Sequence, residues 1–207
     1  MDTRGSGARP SSWTGLGRLG AAFAVAVVAL LSLAATPAFA TGTTRYVATT
    51  GTDSGDCSDQ NNPCATVGYA VGQASAGDTI SIGAGTFDDT DVSTSLSNLT
   101  FEGAGATGQN ETDLDATSTS APALALSGTG DIVENLALST DDNGIGGALN
   151  VGGGGSVQAN DIAITTAPTG AGTDGIDVSG GSLQISDSQV SVTNSDAAVQ
   201  NGSPRRR

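Results

Sequence analysis

The 207-residue chain has no histidine and no lysine, and residues 46 to 204 carry no basic side chain at all. Phosphate recognition rests on Lys and Arg, so nucleic acid is excluded as a partner. Acidic membrane surfaces are disfavoured for the same reason. A zinc site would find too few ligands, since only Cys57 and Cys64 supply thiols. Aromatic residues are scarce: beyond residue 40 there are only Tyr46, Tyr69, Phe87 and Phe101. Long apolar runs are missing too, apart from the uncharged stretch Ala21 to Ala35.

That stretch follows Arg4, Arg9 and Arg18 and precedes Thr36-Pro37-Ala38-Phe39-Ala40. A basic start, a short apolar middle and a small-x-small end predict a secretory signal over 1–40, read at Ala38 and Ala40. Its fifteen uncharged residues would reach only ~22 Å as a helix, short of the ~30 Å hydrocarbon core. No membrane span is therefore expected after cleavage, and the rest of the chain is expected to be secreted or at the cell surface. From Thr41 onward twenty acids face four arginines, a net charge of −16 against −14 for the whole chain. Such acidity aids solubility and suits divalent cations or a salty exterior. In that compartment Cys57 and Cys64, with six residues between them, predict a local disulfide.

Residues 41–77 read as a strand near Thr44–Ala48, a loop holding both cysteines, and a short helix. Thr66 can cap that helix over Val67 to Ala74, although Gly68 and Gly72 weaken it. Apolar pairs flanking one polar residue then recur: Ile80/Ile82, Leu99/Phe101, Leu124/Leu126, Leu149/Val151 and Ile176/Val178, at steps of 19, 25, 25 and 27. Leu136/Leu138, Ile162/Ile164 and Val190/Val192 form a second series at steps of 26 and 28. Segments at Asp131–Val133, Ser156–Gln158 and Ser182–Ile185 supply a third short strand per unit. A repeat of about 25 residues with three short strands and no intervening helices excludes βαβ crossovers. It predicts an all-β, right-handed parallel β-helix over 78–203: about five coils, a capping helix before them and a basic tail at 204–207. Asn98, Asn135, Asp161 and Gln189 precede core pairs and can stack as a ladder at a coil corner. No cap is visible after Val192, so a partner covers the last coil, or the chain is a shortened form of a longer one.

The stretch Arg45-Tyr46-Val47 … Asp53 … Cys57 … Pro63-Cys64-Ala65-Thr66-Val67 … Gly77-Asp78-Thr79-Ile80-Ser81-Ile82 … Gly85-Thr86-Phe87 resembles the opening segment of secreted right-handed β-helix proteins of the pectate-lyase-like superfamily. The resemblance implies the fold over about 43 residues. It does not choose among lyases, glycosidases, adhesin-like proteins and domains without activity. A lyase of that superfamily uses Arg or Lys as its base, and none stands between 46 and 204.

An inverting hydrolase needs only two carboxylates, about 6.5–9.5 Å apart. Thr173-Asp174-Gly175-Ile176-Asp177-Val178 is similar to one motif of the polygalacturonase-type enzymes, and Asp196 is the one acid a coil later. The family's His and Arg/Lys motifs have no counterpart, and Asp-Gly-Ile is also a common turn into a strand. Calcium is the cofactor chemistry left open. Asp53, Asp56 and Asp59, then Asp88, Asp89 and Asp91, then Asp141 and Asp142 put hard oxygen ligands on loops, where solvated turns are the simpler reading. The leading expectation is a non-catalytic extracellular module that binds a polysaccharide or a protein. The alternative is a polygalacturonase-like inverting hydrolase, itself shortened.

Overall fold

In a solenoid, alternate residues of each strand enter a shared core while the backbone pairs with the coils on either side. The computed structural model describes residues 42–88, 92–116, 121–140, 147–166 and 174–192, and the backbone of 199–201. The expected signal segment, with Ala38 and Ala40, lies outside the described residues, as does the basic tail. Within them the chain is an all-β parallel solenoid with one short helix.

Three faces run along the column. The first holds β1 (Thr44–Val47), β2 (Thr79–Ile82), β5 (Thr100–Glu102), the leading halves of β8 (Thr129–Thr140) and β10 (Ser156–Thr166), and β12 (Ser182–Ser186). On the second are β3 (Gly85–Phe87), β6 (Thr112–Asp115), the trailing halves of β8 and β10, and β13 (Gln189–Val192). The third stacks β4 (Val92–Thr94), β7 (Leu124–Leu126), β9 (Leu149–Gly152), β11 (Ile176–Ser179) and β14 (Val199–Asn201). Every named strand pairing is parallel.

The register corrects the sequence series in two places. Ile80 pairs with Phe101 on the first face, whereas Leu124, Leu149 and Ile176 align on the third. The first series thus joined two faces, because similar spacings recur on each. Val190 pairs with Ile164, not Ile162. At the corner between the first two faces stand Asn135, Asp161 and Asp187, with φ of 57°, 49° and 50°. Asp and Asn tolerate this left-handed backbone better than other side chains. Asp187, not Gln189, is therefore the third corner residue, and Asn98 (φ 60°) turns a different corner, ahead of β5.

The expectation of five coils is also corrected, to about three turns. Three turns bury at least two side chains on every face: Leu99 to Leu126, Asp131 to Val151, and Val157 to Val178. Ahead of them β3 and β4 bury one residue each, and β12 and β13 bury none. Sequence spacing counts strands; it does not register whether a coil is filled.

The two ends differ. Helix α1 (Val67–Gln73) is capped by the Thr66 hydroxyl, which accepts the Tyr69 N–H at 3.2 Å. Its buried Val67, Ala70 and Val71 pack toward β1, β2 and β4. The Cys57–Cys64 disulfide forms, and its loop occupies the free edge of β1. Tyr46 N–H donates to Cys57 O at 2.8 Å, Cys64 N–H to Tyr46 O at 2.9 Å, and Ala48 N–H to Cys64 O at 3.0 Å. At the other end Leu183 and Ile185 continue the core columns of Val157 and Ala159. No coil covers them among the described residues, and Ile185 is 41% exposed.

Candidate functional site

Alternation that sends Val133, Val157 and Ala159 inward sends their neighbours outward, and the stacking gathers those neighbours into columns. On the first face one outer column runs Thr44, Thr79, Thr100, Ile132, Gln158, Gln184. The other runs Tyr46, Ser81, Glu102, Glu134, Asn160, Ser186. Along them lies an open groove of about 540 Å³, lined by Ile132, Glu134, Gln158, Asn160, Gln184 and Ser186 from the two columns and by Ala159, Ile185 and Asp187. Ser186 Oγ donates to Asn160 Oδ1 at 3.2 Å, linking two coils across the groove floor. Amide, hydroxyl and carboxylate groups thus recur at the ~4.8 Å coil spacing. Sequence reading missed this site. Its signal was present in the polar residues alternating with the core pairs, but choosing the face requires the register. A second groove, of about 420 Å³ on the third face, is lined by short side chains such as Ser93, Thr94 and Ser127 with Gly152 and Gly153.

The acids serve three different ends. Asp78 is buried and accepts Thr43 N–H at 2.7 Å, Ser75 N–H at 2.9 Å and the Arg45 guanidinium at 3.0 and 3.1 Å. Burial alone would raise its carboxyl; the N–H groups of Ser75 and Thr43 and the Arg45 cation together hold it below the ordinary value. Arg45, the only basic side chain among the described residues, is thereby spent inside the fold. Asp131 stands in a core column beside Val157. Burial pushes its carboxyl up, against the Leu99 N–H donated to Oδ1 at 2.9 Å and the influence of the Asn98 backbone N–H; Oδ2 has no partner among the described residues. On the outer second face burial raises Asp113; the Ser139 hydroxyl, at 2.8 and 3.0 Å, opposes this, and the charges of Asp115 and Glu111 add to it.

Asp174 is buried ahead of β11. Asp177 is half-buried on the third face, where its Oδ2 accepts from Asn150 Nδ2 at 3.3 Å. Asp196 lies outside the described residues. Of the calcium candidates, Asp53 accepts from Ala65 N, Thr66 N and the Thr66 hydroxyl. Asp56 accepts from Ser58, and Asp59 from Asn61 and Asn62. These bonds make the three residues turn and cap acceptors. Asp89, Asp91, Asp141 and Asp142 lie outside the described residues, among which no three His, Cys, Asp or Glu side chains gather as a metal site. No described helix is long and apolar enough to cross a membrane. Comparisons with protein-family models, curated proteins and solved structures find no match.

Proposed function

We propose that the chain is an extracellular β-solenoid module without catalytic activity, whose first face binds a neutral polysaccharide. The observation that carries this reading is the groove along the two outer columns, where Glu134, Gln158, Asn160, Gln184 and Ser186 repeat at the coil spacing. Amides, hydroxyls and carboxylates can together donate to and accept from sugar hydroxyls. A uronic acid polymer would instead meet an exported chain of net charge −16 with no exposed cation among the described residues. The basic–apolar–small pattern of residues 1–40 supports export, and the disulfide suits an oxidising exterior. Likeness to the pectate-lyase-like superfamily rests on residues 45–87 alone. A hydrolase draws less support, because Asp174 is buried while Asp177 stands half-exposed on the third face, away from this groove.

A protein partner at the last coil is the second reading, favoured by the exposed Ile185 beside the unfilled core columns. Affinity electrophoresis through neutral glucan, mannan or polygalacturonate tests the first. Retardation is expected in a neutral polymer only, weakened roughly fivefold or more by Gln158→Ala with Gln184→Ala, at ~1 kcal/mol for a lost hydrogen bond. No retardation by any neutral polymer, or release of reducing ends from one, overturns the proposal.

A further inference from the structure

Three Asn-x-Ser/Thr triplets occur in the chain: Asn98-Leu99-Thr100, Asn110-Glu111-Thr112 and Asn201-Gly202-Ser203. Such a triplet accepts an N-linked sugar where its asparagine lies on a surface loop of an exported protein. The side chain of Asn201 is outside the described residues, so the fold can be asked about the first two.

It separates them. Asn98 is exposed like Asn110, but it turns a corner with φ 60°, and its Oδ1 sits 2.6 Å from where a Cβ on Gly130 would stand. Its amide is therefore pressed against the turn of the next coil, and a sugar there would have to displace that turn. Asn110 closes the excursion between β5 and β6, in an exposed run from Thr107 to Glu111. A Cβ built on Gly108, two residues before it, would meet nothing within 4 Å. A sugar on Asn110 would leave from this exposed loop.

We infer that Asn110 is a site of N-glycosylation, a reading that rests on the export proposed above. In the transfer, the Asn110 amide nitrogen attacks C1 of a lipid-phosphate-linked oligosaccharide. The C1–N bond forms, the C1–O bond to phosphate breaks, and one amide proton leaves as the lipid phosphate departs. The structure also orders events. Thr112, whose hydroxyl the acceptor triplet needs, is fully buried, with Oγ1 accepting from Ala104 N at 2.8 Å and donating to Gly83 O at 3.0 Å. Transfer must therefore precede the docking of β6, while the chain is still being exported.

The test is peptide mass analysis of the full-length gene product recovered from its own cells. Trypsin has no site between 46 and 204, but cleavage after Glu102 and Glu111 releases Gly103–Glu111 with Asn110 inside it. That peptide is expected to carry added sugar mass, lost in Asn110→Gln and kept in Asn98→Gln and Thr112→Ser. An unmodified peptide from protein beginning at Thr41 overturns the site and leaves export standing. An unmodified peptide from protein beginning at Met1 overturns both, and sugar on Asn98 in place of Asn110 overturns the site.

Discussion

Two buried acids in one solenoid are held in opposite ways. Asp78 collects a cation and two backbone N–H groups, and its carboxyl is held low. Asp131 has one oxygen satisfied and the other without a partner among the described residues, and its carboxyl is pushed up. An acid whose folded pKa is raised loses stability as pH climbs past its unfolded value near 4. An acid whose folded pKa is lowered contributes stability above that value, and loses it as pH falls through the folded one. Asp131→Asn keeps an acceptor for Leu99 N–H and removes the buried charge. The variant is expected to gain on the wild type as pH rises from 4 to 7 in thermal melts, whereas a constant gap would show that Asp131 titrates normally. Arg45→Ala should cost about 3–5 kcal/mol in chemical denaturation at neutral pH, because it strands a buried carboxylate. A loss below 1 kcal/mol would mean that Thr43 and Ser75 suffice. The lone Arg45 ahead of the cysteine loop was legible in the sequence. Its burial was not, since Asp78 lies 33 residues away and only the pairing of β1 with β2 brings them together.

Local chemistry fixed most of the elements. Thr66 announces the helix that it caps, and alternation in Thr79–Ile82 or Leu124–Leu126 predicts the strands found there. What spacing could not assign was the face. Pairs such as Leu99/Phe101 and Leu124/Leu126 look alike as text and sit on different sheets, because corner length, not strand content, decides the register. The candidate groove shares that fate, since its polar residues gain meaning only as stacked columns. The disulfide loop is legible for a different reason: the chain has two cysteines in all, with six residues between them, which leaves little choice of partner. Its structural role came only with the fold, where it pairs with the edge of β1. Cys57→Ser with Cys64→Ser should lower stability by about 2–3 kcal/mol on loop-closure arguments. Amide exchange at Tyr46 and Ala48 should rise more than at Ile162, and equal increases would argue that the loop merely ties the chain.

Across the whole molecule, stability is a sum of coil terms and interfaces between neighbours, as in other solenoids. The sealed end adds a helix, a disulfide and the Arg45–Asp78 pair to its interfaces. At the opposite end β12 and β13 retain hydrogen bonds to β10 but bury none of their side chains. Amide protection is therefore expected to fall from β2 toward β12, read by hydrogen exchange strand by strand. A flat profile would mean that the last coil is covered by something bound to it. The inequality also gives the column a direction under mechanical load. Tension along its axis peels coils singly from the unfilled end, and each one lost leaves behind a surface like the one before, until the force meets the disulfide-braced strand and stalls.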